Sequence, residues 1–168
     1  MSEVFEVGEY IVCGNNGVCR IEGKGNLNIS GVDKHRDYYF LKPVYGADST
    51  VYVPVDTDKI RMRRVLSREE ADALLQSFEG MELLTVTDEK TIEREYRETI
   101  QKNDCREWCR LIKTIQLRKK KRNAKGSKIT ATDSKYYKIV GDRLYGELAL
   151  VLGMERQDVE KYVMERIE

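Results

Sequence analysis

Proline is nearly absent from this 168-residue chain, at two, and histidine and tryptophan occur once each. So few prolines exclude a proline-rich linker or recognition segment and leave long helices possible. The lone His35 lies in Asp33-Lys34-His35-Arg36-Asp37, where it reads as a solvated loop residue, and no second histidine is available to a catalytic arrangement. No apolar run approaches the roughly 18–20 residues that span a bilayer. Met1-Ser2-Glu3-Val4-Phe5 has no basic stretch leading into an apolar one, so no secretory signal is expected and the chain reads as cytoplasmic. GxxxxGK(S/T), a GxGxxG after a strand, and GxSxG are all missing. The expectation is therefore no enzyme, no catalytic residue and no cofactor. Cysteines number four, with Cys13 and Cys19 six apart and Cys105 and Cys109 four apart. Neither pair has CxxC spacing, so no metal site is expected, and in a reducing compartment they read as small hydrophobes rather than disulfides.

Net charge is also nearly missing, at +1, although 35% of residues are charged. The cancellation is not local. Residues 1–60, 61–100 and 129–168 carry net charges of −3, −3 and −2, whereas residues 101–128 hold eleven Lys and Arg against Asp104 and Glu107, a net of +9. Clustered Lys and Arg are the electrostatic footprint of phosphate binding.

What is present divides into a β half and an α half. Glu9–Val12, Gly17–Glu22, Tyr38–Lys42 and Thr50–Val55 read as short strands, with Ile60–Arg64 as a fifth. Gly14-Asn15-Asn16-Gly17 and Gly46-Ala47-Asp48-Ser49 suit turns, and Gly23–Asp37 reads as a polar connection. Pro54 belongs at a strand end or an exposed edge. The strand count suggests a small SH3- or Tudor-like barrel. Helical periodicity then takes over. Ser67-Arg68-Glu69-Glu70 is a capping box. Thr87–Asn103 is a second helix, with Ile92, Tyr96 and Ile100 on one stripe. A third, Asp104–Arg122, has Asp104 as its cap and Glu107 at the reciprocal position. It places Cys105, Trp108, Cys109, Ile112 and Ile115 on one face and Arg106, Arg110, Lys113, Lys120 and Lys121 on the other. Thr132–Leu152 is a fourth, striped by Tyr137, Val140, Leu144, Leu148 and Val151 and ended by Gly153; Arg156–Ile167 is a short fifth. The fold class is thus α+β, with a barrel over 1–62 and an all-α domain over 67–168.

Phe5-Glu6-Val7-Gly8-Glu9-Tyr10-Ile11-Val12, Gly14-Asn15-Asn16-Gly17-Val18, Tyr38–Leu41, Thr50–Val55, Arg94-Glu95-Tyr96-Arg97 and Leu144–Leu150 occur in an order that resembles the CarD/CdnL family of bacterial transcription regulators. The resemblance implies an RNA polymerase-binding factor. Its Tudor-like module would add a strand to the lobe (protrusion) of the polymerase β subunit, through Thr50, Val51, Tyr52, Val53 and Pro54. Its helical domain would hold promoter DNA, with little sequence preference, at the upstream edge of the bubble and stabilise the open complex, notably at ribosomal RNA promoters. Taken with the basic run, the resemblance implies DNA contacts at Ile92, Arg94, Arg97, Lys102, Arg106, Arg110, Lys113, Arg118, Lys120, Lys121, Lys125 and Lys138. Ile92 stands where many relatives carry a Trp wedge; it can wedge as an aliphatic side chain, or be buried on the stripe with Tyr96 and Ile100. A monomer without membrane attachment is expected. The alternative reading is an RNA-binding module built from the same barrel and basic helix.

Overall fold

Short β-branched and aromatic runs separated by turns build a five-stranded antiparallel sheet: β1 (Tyr10–Cys13), β2 (Gly17–Asn26), β3 (Asp37–Pro43), β4 (Val51–Pro54) and β5 (Met62–Arg64), in the order β4-β3-β2-β1-β5. The computed structural model describes residues 4–14, 16–32, 34–46, 48–86 and 88–167. Asn15, Asp33, Ala47 and Thr87, which fall in the expected turns, the charged loop and the expected start of the second helix, lie outside the described residues, as do 1–3 and 168.

The expected barrel is not closed. β4 and β5 are the sheet's two edges, and among the described residues no ladder joins them. β5 is three residues long and its register is taken up by β1. Nothing therefore zips the two ends together. β2 also runs further than expected, to Asn26, where a polar connection from Gly23 was foreseen. The reason is cross-strand: after a bulge between Ile21 and Gly23 the ladder resumes, with Gly23 opposite Phe40, whose ring takes the space a Cβ would fill, and Gly25 opposite Tyr38. One face of the sheet packs Phe5, Ile11, Cys13, Cys19, Ile21, Tyr39, Leu41 and Val53 into a core. The Phe5 amide donates to the Tyr39 hydroxyl at 3.0 Å, so the segment before β1 closes that core.

The chain divides after Val65 into two units. The second is all helix: α1 (Arg68–Ser77), α2 (Ile92–Gln101), α3 (Cys105–Ala124), α4 (Ala131–Leu152) and α5 (Arg156–Met164). The Ser67–Glu70 capping box forms in both directions. Asp104 caps α3 by accepting from the Arg106 and Glu107 amides, but the Glu107 carboxylate turns to Arg110 instead of back to the cap. Gly153 ends α4 with φ 65°, a left-handed value that favours glycine. α2 starts later than the sequence suggests, because the Asp88 carboxylate and carbonyl take the Lys90 and Thr91 amides in a turn ahead of it. On α4, Tyr136 is buried and Tyr137 half-buried, the reverse of the expected stripe. The Tyr136 ring packs edge-on to Tyr96, and its hydroxyl donates to Glu93 at 2.7 Å. Among the described residues no helix is long and apolar enough to cross a membrane.

Candidate functional site

In the sheet, β4 is an edge strand bonded to β3 on one side. The Val55 amide donates to the Asp37 carbonyl at 3.0 Å. Antiparallel ladders alternate bonded and non-bonded pairs. With the observed register, Val53 and Val51 therefore spend their main-chain groups on Tyr39 and Leu41, and Tyr52 and Pro54 point theirs away from β3. Val53 is buried and contributes its side chain to the core, whereas Tyr52 is exposed in both senses. Thr50 precedes the strand. Of the five residues expected to bind a partner strand, Tyr52 offers an outward N–H and C=O. Pro54 sits at the strand end, as expected; it has no N–H, and its carbonyl accepts from the Thr57 amide at 3.3 Å.

The basic helix is two surfaces, not one. In mid-helix, Arg110 and Lys113 turn inward, onto the chain reversal after α1. Lys113 is buried, and its ammonium donates to the carbonyls of Phe78, Glu79 and Met81. Arg110 donates to the carbonyls of Glu82 (3.1 Å) and Leu83 (3.3 Å) and to the Glu107 carboxylate (3.1 Å). The cause is local. The end of a helix leaves carbonyls with no intrahelical donor, and a buried carbonyl needs one. Arg118 is likewise engaged, with Asp133 and Glu89 both at 2.9 Å. The expected exposed face containing Lys113 is corrected accordingly, as is the free role expected of Arg110 and Arg118.

At the C-terminal end of α3, Lys120, Lys121 and the cap residue Lys125 face solvent. Lys121 and Lys125 are exposed and make no hydrogen bond or ion pair among the described residues. Lys120 is exposed, with its ammonium reaching the Ile167 carbonyl at 2.6 Å. Arg106, Arg97 and Lys138 are exposed on α3, α2 and α4 and have no such partner. Arg94 meets Glu98 at 3.9 Å with both side chains largely exposed, and Lys102 meets Glu107 at 3.6 Å. Lys119 continues the basic run with Lys120 and Lys121, and Lys128, exposed just beyond the end of α3, was not singled out by sequence reasoning; its signal is the continuity of the basic run.

Ile92 is 3% exposed and buried in the helical core with Tyr96 and Ile100. The stripe reading holds and the wedge reading does not: a side chain packed under its own helix has no surface to insert between bases. Trp108 is fully buried, and its indole N–H donates to the Ile100 carbonyl at 3.1 Å.

Two buried carboxylates escaped sequence reasoning, although both interrupt the apolar pattern of α4. Asp133 is fully buried and accepts from the Tyr96 hydroxyl at 2.8 Å as well as from Arg118. Arg118 thereby keeps its charge more firmly than usual: burial opposes it, but the hydrogen bonds to Glu89 and Asp133 outweigh that. Burial and Asp133 push the Tyr96 phenol well above its usual range. Glu147 is also fully buried; it accepts from the Leu66 amide at 2.9 Å and the Cys105 thiol at 3.1 Å. All four cysteines are buried and none is in a disulfide, and burial lifts the Cys109 thiol to about 12. That makes it a poor nucleophile at neutral pH.

Residues 5–66 match the family model of the CarD-like/TRCF RID domain, which takes in the sheet and both of its edges. No curated protein sequence matches the chain.

Proposed function

We propose, from the match of its sheet unit to the CarD-like/TRCF RID domain over residues 5–66, that this chain is a CarD-like transcription regulator that engages RNA polymerase, without enzymatic activity, acting in the cytoplasm as a monomer. It binds the lobe of the polymerase β subunit by adding a strand to the edge of β4, and it holds promoter DNA at the upstream edge of the bubble through the helical unit. The observation that carries the first contact is the outward-pointing main chain of Tyr52 on an unpaired edge. Such an edge is a ready template for another strand.

The DNA contact is placed on the solvent-facing end of α3, at Lys120, Lys121 and Lys125, supported by Arg94, Arg97, Lys102, Arg106 and Lys138. Exposed cations can neutralise phosphates and release counterions, and exposed contacts such as those of Lys120, Arg94 and Lys102 exchange for phosphate at little cost; Lys113, Arg110 and Arg118, held against carbonyls and carboxylates in buried or half-buried sites, cannot do so without leaving those groups bare. Phosphate contacts position a protein without reading sequence, which suits a factor acting at many promoters. Binding the open complex better than the closed one shifts the population toward the open one.

The test is the lifetime of the open complex on a ribosomal RNA promoter with the cognate polymerase. Adding the protein should lengthen it, and adding a Lys121→Glu/Lys125→Glu variant should not. An unchanged lifetime with the unaltered protein removes the open-complex role. Preference for structured RNA over forked DNA in competition would favour RNA binding instead.

A further inference from the structure

The outward face of the sheet beside β4 is unusually aromatic for a solvent-facing surface. Phe40 and Tyr52 are cross-strand partners, with ring centroids 5.4 Å apart at an interplanar angle of 79°. The pair occupies a non-hydrogen-bonded position of the ladder, where side chains stand closest. Such edge-to-face packing fixes both rings. Behind Phe40 lies Gly23, its partner on β2. A Cβ there would fall 2.7 Å from Phe40 Cδ2, so the absence of a side chain at Gly23 lets the ring lie where it does. Gly23, Phe40 and Tyr52 thus form a row of floor, buttress and exposed ring, running across the sheet to its free edge. Tyr52 remains 45% exposed at the end of that row.

The charges around the row are closed on one another. Lys42 pairs with Asp48 at 2.9 Å on one side and Arg36 with Asp56 at 2.8 Å on the other. Arg20, across from Lys42, pairs with Glu22 at 3.1 Å. Asp48 holds the Lys42 ammonium above its usual range, and Arg36 holds the Asp56 carboxyl below its own. A charged residue of a partner would therefore find little net field here, while an apolar one would find a ring face and an exposed main-chain edge at the same residue.

We propose that the Phe40–Tyr52 ring pair, seated on Gly23, is the side-chain recognition element of the strand-addition contact: it takes an uncharged, apolar residue of the polymerase strand that pairs with Tyr52. This rests on the polymerase reading above. The register follows from the same residue. Tyr52 supplies the N–H and C=O that a partner strand can use, and Pro54 ends the ladder because it has no donor. The partner's side chain opposite Tyr52 then lies on the outward face, over the rings.

Calorimetric titration of the full-length protein with purified recombinant lobe of the cognate β subunit tests this. Tyr52→Ala should raise the dissociation constant about tenfold, a change typical of losing a buried aromatic contact. Tyr52→Phe, which keeps the ring, should stay within about twofold, and Tyr52→Arg should bind no better than Tyr52→Ala. Gly23→Ala should also weaken binding, because it displaces Phe40 without touching the edge; circular dichroism identical to the parent shows that the fold is intact. Parent binding that survives both Tyr52→Ala and Gly23→Ala overturns the ring platform alone. No binding by the parent overturns the polymerase reading, and the platform with it.

Discussion

Lys113 shows how a single buried contact changes the meaning of a charge. Its ammonium lies among three carbonyls and 5.8 Å from the centre of the Phe78 ring. A charged donor in a dry site makes stronger hydrogen bonds than a neutral one, and removing it leaves acceptors bare. Lys113→Met keeps the stem and deletes the charge. It should destabilise the helical unit by about 2 kcal/mol, read from the urea midpoint, while DNA affinity stays within about twofold of the parent. A loss of DNA affinity with unchanged stability would return Lys113 to the binding surface. Periodicity could not have anticipated this. It sets Lys113 apart from Trp108 and Ile112, but whether that side of the helix meets solvent depends on which segment folds over it: the stretch after α1 covers Lys113 and leaves Arg106 exposed. Ile92 is the contrasting case: the same periodicity offered burial with Tyr96 and Ile100, and burial is what the structure has.

At the scale of elements, the strands and helices were legible where pattern and punctuation agreed. The capping box at Ser67, the cap at Asp104 and the stop at Gly153 all stand where the sequence puts them. What was not legible was long-range. β2 continues through Gly23 and Gly25 because β3 pairs with it along that length and the Phe40 ring covers Gly23, and no local rule makes a glycine run a strand. The open sheet has the same origin, since closure depends on whether two edges meet. The tie between α2 and α4 is also non-local. Glu93 accepts from the Tyr136 hydroxyl at 2.7 Å and lies 3.6 Å from the Lys135 ammonium. The Tyr136 hydroxyl first, and the neighbouring Lys135 and Arg97 charges with it, hold the Glu93 carboxyl below its ordinary value of 4.5. A carboxyl lowered in the folded state binds protons more weakly there than in the unfolded chain, so it adds stability above the ordinary value and loses it as the pH falls through the folded one. Glu93→Gln should therefore melt below the parent at pH 7, with the gap in melting temperature closing as the pH is taken below 4.5. A gap independent of pH would mean that the carboxylate's charge is not what joins the two helices.

For the whole molecule, the near-zero net charge is the sum of two chemistries that respond differently to salt. The sheet contact, as proposed, uses main-chain hydrogen bonds and an apolar residue between closed ion pairs, and should be nearly indifferent to ionic strength. The DNA contact uses exposed cations, and each phosphate neutralised on B-DNA adds about 0.9 to the slope of log affinity against log salt. The two contacts sit on one chain, so engaging polymerase raises the effective concentration of the helical unit at the promoter, and a weak DNA contact suffices. Measured on a promoter duplex, Lys121→Glu/Lys125→Glu should reduce that slope by about two, the loss of two phosphate contacts. The same variant, measured against the β lobe, should keep the parent's affinity at every salt concentration. If the slope is unchanged, the exposed end of α3 is not where the phosphates lie. If lobe binding weakens in parallel, polymerase and DNA share one surface, and the division of labour between sheet and helices fails.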